Sequence, residues 1–205
     1  MKNSNSMLVL TLSFSLSLSL IACGNSNKLN QEESENQHDH SAMTHEADNS
    51  MSADSDMAMM ESKTITTLID NYLSIKNALV KDDSKSAASA GQTLADVAST
   101  FDASSFEESD QTEIKEILEV IKEHGEHIAK SELAHQREHF EGMAKDFMDL
   151  LAIAGTDRTL YQQYCPMYNK GKGGSWLSAS EEIKNPLFGS KMLTCGSVKE
   201  TISMK

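Results

Sequence analysis

IKEILEVIKEHGEHIAKSELAHQREHFEGMAKDFMDLL, residues Ile114 to Leu151, decides the fold. Ile114, Ile117, Leu118, Ile121 and Ile128 recur at helical spacing, and so do Leu133, Phe140, Met143, Phe147, Leu150 and Leu151. Between Ile128 and Leu133 the apolar stripe slips out of phase, so a break near Lys130–Ser131 is expected, with one long helix as the alternative. Gly155 stands where a helix would end, and Ser109 could cap the start of the third helix. Upstream, Ile65, Leu68, Ile69, Tyr72, Leu73, Ile75, Ala78 and Leu79 mark a first helix, from about Lys63 to Val80. Ala87, Ala90, Leu94, Val97 and Ala98 mark a second, from about Ser84 to Phe101, whose small residues allow close packing. The expected fold class is all-α: an antiparallel up-and-down four-helix bundle with a loop-rich C-terminal cap.

That cap reads YCPMYNKGKGGSWLSASEEIKNPLFGSKMLTC, Tyr164 to Cys195. It holds the single Trp of the chain (Trp176) and both prolines (Pro166 and Pro186), with turn-forming glycines at Gly171, Gly173, Gly174 and Gly189. Cys165 and Met167 stand at one end, Met192 and Cys195 at the other. Two thiols and two thioethers facing each other would select a soft ion, copper(I) first. Pro166 would fix the chain between two of the ligands. A Cys165–Cys195 disulfide is equally open, because an even pair of cysteines outside the cytoplasm is most simply a bridge. Methionines are also ordinary core filler.

At the other end of the 205-residue chain, Met7 to Ile21 is an apolar and serine run after Lys2. It closes with Leu20-Ile21-Ala22-Cys23, the form of a lipoprotein signal in which Cys23 takes the lipid. The run is too short for a membrane span. Residues 1–22 are therefore expected to be a signal peptide and the mature protein a lipid-anchored protein of the cell envelope, facing the periplasm, with the outer membrane favoured. Residues 23–62 have no apolar period and should form a disordered acidic tether. Within it His38, His40, Met43 and His45 cluster, followed by Met51, Met57, Met59 and Met60. Imidazole and thioether on a flexible segment would make an auxiliary copper-collecting tail; a plain hydrophilic spacer is the simpler reading. Residues 63–205 make one folded unit.

A net charge of −13 argues against nucleic acid and anionic lipid as partners and suits cations. His124, His127, His135 and His139 all fall on the third and fourth helices. His135 and His139, four apart, share a face and could hold a metal, although histidines on a helix flank are more often solvated or hydrogen-bonded. His139 is the better placed of the two to reach the cap. No HExxH motif, CxxC pair or nucleophile elbow is present, and Gly171, Gly173 and Gly174 lack the ending of a phosphate loop. Nothing points to an enzyme.

Several of these stretches occur together in one known setting. Gln136-Arg137-Glu138-His139-Phe140, Tyr164-Cys165-Pro166-Met167, Trp176-Leu177-Ser178, Ile183 ahead of Asn185-Pro186, Gly189, and Met192-Leu193-Thr194-Cys195-Gly196 resemble an uncharacterised helical domain. That domain occurs on bacterial envelope lipoproteins and secreted proteins, and is fused to periplasmic adaptor subunits of copper and heavy-metal efflux systems. The resemblance runs from about residue 64 to 203. It implies copper or related metal handling outside the cytoplasm, with Cys165, Met167, Met192 and Cys195 as the site and an efflux adaptor as a possible partner. Leu187 stands where that pattern tends to have an aromatic residue. The expected function is sequestration of copper or a related soft metal, or its hand-over to efflux. The alternative is a non-catalytic interaction module stapled by a Cys165–Cys195 disulfide.

Overall fold

A computed structural model describes the backbone of residues 53–204 and the side chains from Thr64 onward. Four long helices come first: α1 (Ala53–Val80), α2 (Ser84–Ser99), α3 (Glu108–Lys130) and α4 (Leu133–Ala154). Each packs on the next, and α4 also meets α1. The phase slip is a real break, since only Ser131 and Glu132 separate α3 from α4. The signal segment, Cys23 and the tail residues His38, His40, Met43, His45 and Met51 lie outside the described residues. Met57, Met59 and Met60 fall within the backbone span of α1, which begins at Ala53. No helix among the described residues is long and apolar enough to cross a membrane.

The helix ends follow local chemistry. Asp83 caps α2, its Oδ1 accepting from the Ser86 N–H at 3.0 Å and its Oδ2 from the Ser86 hydroxyl at 2.7 Å. Ser109 does not cap α3; it lies one residue inside a helix that starts at Glu108. Gly155 closes α4 with φ 78°, its N–H donating to Leu151 O at 3.0 Å. Tyr72, Phe140 and Phe147 meet at the centre, with ring centroids 4.9 Å and 4.5 Å from Tyr72. Leu68, Ile75, Leu94, Ile114, Ile121 and Ile128 fill the space around them. Between α2 and α3 the backbones nearly touch. A Cβ on Gly125 would stand 2.7 Å from Gly91 O, so glycine at both positions sets how closely these helices approach.

The C-terminal part corrects the all-α expectation. In place of a loop-rich cap it forms a three-stranded antiparallel sheet: β1 (Leu160–Cys165), β2 (Gly174–Ser178) and β3 (Ser197–Ile202), in the order β2-β1-β3. The physical reason is Gln163. It is fully buried and stands opposite Trp176, so a polar residue occupies the position where alternation would place an apolar one. Its amide satisfies that burial. Trp176 Nε1–H donates to Gln163 Oε1 at 2.7 Å, while Gln163 Nε2 donates to Ser180 O at 2.8 Å and reaches the carbonyls of Glu181 and Glu182 at 3.2 and 3.3 Å. On β3 five of the six residues are exposed, and a bulge opposite Gln162 and Gln163 interrupts its pairing with β1, so no clear alternation marks it either.

The sheet is tied to the helices by polar contacts from α1, α4 and the turn after α1. The Leu177 N–H donates to the Tyr72 hydroxyl oxygen at 3.0 Å, and burial pushes that phenol well above its ordinary pKa. Arg137 on α4 donates from Nε to Pro186 O at 2.8 Å, and from Nη2 to Leu79 O at 2.9 Å and Asp82 Oδ1 at 2.5 Å. Asp82 also accepts from the Ser190 N–H at 3.2 Å. Trp176, Leu177 and Leu187 are buried and belong to the same core cluster as the bundle residues, so leucine at the site after Asn185-Pro186 is a core residue.

Hydrogen bonding from Ser190, and then from Arg137, holds the Asp82 carboxyl down at about 2 from an ordinary 3.8. A depressed carboxyl stabilises the folded state above its unfolded pKa and loses that contribution as pH falls through the folded one. The parent chain is therefore expected to lose stability between about pH 3.8 and about 2 more steeply than Asp82→Asn. Denaturant midpoints measured across that window test this. Parallel pH profiles would show that Asp82 is not responsible.

Candidate metal centre

The feature with the most chemistry lies where α3 meets α4. His127 on α3 and His135 and His139 on α4 each offer a ring nitrogen, and the three nitrogens all lie within 4.8 Å of one another. No cysteine belongs to this group. His127 and His135 are exposed and His139 is half-buried. The His127 ring stacks on His139, with centroids 4.2 Å apart and planes 7° from parallel. Histidines three or four apart on one helix face, set opposite another such pair on its neighbour, converge for the ordinary geometric reason. A groove of about 340 Å³, lined by Glu123, Glu126, His127 and Lys130, opens beside the cluster.

The rings form a row with a carboxylate at each end. His135 Nδ1 lies 2.9 Å from Glu138 Oε2, and His135 Nε2 lies 3.1 Å from His139 Nε2. His139 Nδ1 lies 3.0 Å from His124 Nδ1, and His124 Nε2 lies 3.4 Å from Asp146 Oδ2. That makes four links. In their neutral forms the three imidazoles carry one N–H each, which leaves one link without a proton. A bare ring nitrogen facing a carboxylate is unfavourable, so Glu138 holds a proton on His135 Nδ1 across a 2.9 Å hydrogen bond, and the charge of Asp146 favours one on His124 Nε2 across an ion-pair distance of 3.4 Å. The gap falls between rings, where two lone pairs face each other. At the His135–His139 link, that gap lies beside His127.

The surroundings of His139 and His124 favour their neutral forms. His139 is pushed down to about 4, first by burial and then by His127, His124 and His135. Burial also lowers His124, partly offset by the Asp146 carboxylate. Burial raises Asp146, partly offset by His124. A neutral imidazole is the form that ligates metal. Imidazole nitrogens bind zinc at about 2.0–2.1 Å, so two ligands of one tetrahedral ion stand roughly 3.3 Å apart, close to the His135–His139 spacing.

The sulfur set expected from the sequence takes a different form. Cys165 and Cys195 are joined as a disulfide, their Cα atoms 5.7 Å apart. In this form neither sulfur is a thiolate. Cys165 is fully buried, whereas Met167 is 57% exposed and Met192 is half-buried. His139, expected to join the sulfurs, is grouped with His127 and His135. The sequence puts His135 and His139 on the flank of the fourth helix and His124 and His127 only on the third, and Asp146 carries no signal. What joins them is the α3–α4 pairing, which periodicity within one helix does not specify.

Comparison with known proteins adds one family. Residues 68–159 match the family model described as a protein of unknown function, DUF3347. The match takes in the C-terminal part of α1 and all of α2, α3 and α4, and hence every histidine of the cluster, and it stops just before β1. No curated protein and no solved structure matches the chain.

Proposed function

We propose that this protein is a non-catalytic metal-binding lipoprotein of the cell envelope. It holds copper or a related transition metal at His127, His135 and His139, for sequestration or hand-over to an efflux adaptor. The observation that supports this most is the row of imidazoles one proton short, with its gap able to fall beside a third ring. A metal ion supplies the missing positive charge there without adding a proton. Three nitrogen ligands suit copper(II), zinc and nickel, and copper(II) stands highest in the general affinity order. The copper(I) preference rested on thiolates and thioethers, which this cluster does not contain. Three protein ligands and an open side toward the groove suit an ion that is exchanged. The lipobox at Cys23 supports the envelope location, and the His/Met tail an auxiliary collecting role.

The test is copper(II) and zinc titration of the full chain in detergent, with His38, His40 and His45 replaced by serine to silence the tail. One ion per chain is expected at the cluster. His139→Ala should weaken binding by about a hundredfold, ~2.7 kcal/mol. Tight one-to-one binding that survives His139→Ala would sink the reading.

The disulfide favours a second reading, a stapled interaction module that acts as the partner of an envelope efflux complex. Under it, His139→Ala would leave metal uptake unchanged while a reduced cap lost partner binding.

A further inference from the structure

We infer that Asp146 and His124 are positioning residues behind the metal centre, which fix the tautomer of His139 and aim its Nε2 lone pair at the ion. This rests on the three-histidine reading and deepens it by assigning a function to two residues that do not touch the metal. Asp146 and His124 are each 22% exposed, in contrast to the open His127 and His135. Asp146 Oδ2 lies 3.4 Å from His124 Nε2, an ion-pair distance, and its negative charge favours the tautomer with the proton on that nitrogen. His124 Nδ1 is then bare and accepts from His139 Nδ1–H across 3.0 Å. His139 Nε2 is left with its lone pair toward His135 and the ion. Glu138 does the same for His135 from the opposite end, accepting from Nδ1 and leaving Nε2 free. A metal-bound histidine commonly hands its second N–H to a carboxylate; here one imidazole stands between the two.

Room for the intervening ring comes from a glycine. A Cβ on Gly142 would stand 3.0 Å from His124 Cε1 and 3.3 Å from its Nε2. Those contacts are tight, and the ring they would press on is the one that links Asp146 to His139. An ordinary surface ion pair would need no such clearance.

The experiment uses the full chain with the three tail histidines replaced by serine, loaded with zinc and labelled with nitrogen-15 at histidine. In the parent, His139 should be protonated at Nδ1 and His124 at Nε2. Asp146→Leu removes the acceptor, so His124 should become a mixture of tautomers and zinc affinity should fall roughly ten- to a hundredfold. Asp146→Glu keeps a carboxylate and should recover part of the loss. Helicity by circular dichroism should match the parent in both. His124→Phe is the second variant; it leaves His139 Nδ1 without its acceptor and should weaken zinc to a similar extent. Parent zinc binding with His139 protonated at Nε2, or unchanged affinity in Asp146→Leu and His124→Phe, would overturn the inference. Failure of the parent itself to bind zinc or copper(II) would instead remove the metal reading, and this inference with it.

Discussion

Arg137→Met is expected to lower the unfolding free energy by about 3–5 kcal/mol, among the largest losses from any single substitution in the described structure. Only 11% of the Arg137 side chain is exposed, and its guanidinium joins three segments: the end of α1 at Leu79, the turn at Asp82 and the segment before the sheet's last strand at Pro186. Methionine keeps much of the volume and removes every donor. Two carbonyls and a partly covered carboxylate then lose their partner, and charge-assisted bonds of this kind each contribute about 1.5–3 kcal/mol. Asp82 is about one-third exposed, so water recovers part of its share. Arg137→Lys should recover less than half, because one ammonium cannot span a fork that reaches Nε and Nη2 acceptors together. Urea unfolding of the three proteins measures this. A loss below ~1 kcal/mol would show that the contacts are replaceable by water.

Reducing the Cys165–Cys195 disulfide should cost about 3–4 kcal/mol, from the loop entropy restored to the unfolded chain by a bridge spanning 30 residues. For a chain of this size that corresponds to roughly 10 °C in Tm. The bridge joins the end of β1 to the segment just before β3, so it locks the sheet around its central strand. Thermal unfolding with and without reductant measures the shift. Reduction should also leave copper(II) or zinc affinity at the histidine cluster within about threefold, since no sulfur ligates there; binding that required reduced cysteines would restore the sulfur site.

The bundle was legible because its stripes keep helical period from Ile65 to Leu151, and the out-of-phase step located the α3–α4 break within a residue or two. The sheet was not, for reasons visible in Gln163 and Ser197–Ile202. A buried glutamine satisfied by three carbonyls and an indole reads as a loop residue, and an exposed edge strand has no buried face to generate alternation. The cysteine pair could be spelled from the sequence but its state could not, because thiolate and disulfide need the same two residues. The histidines were visible one helix at a time. Their convergence, and the part given to Asp146, depend on which faces of α3 and α4 meet.

The two-residue connection at Ser131 and Glu132 orders assembly in time. All four histidines, Glu138 and Asp146 belong to one helical hairpin, so bringing them together closes only a short loop. Hairpins of this kind form in microseconds to milliseconds, whereas the β1–β3 pairing joins distant segments and disulfide chemistry takes seconds to hours. Under the proposed envelope location, a newly arrived chain would offer its imidazoles to an ion long before its thiols had found each other. Captured at that stage, the ion would stabilise the first-formed hairpin.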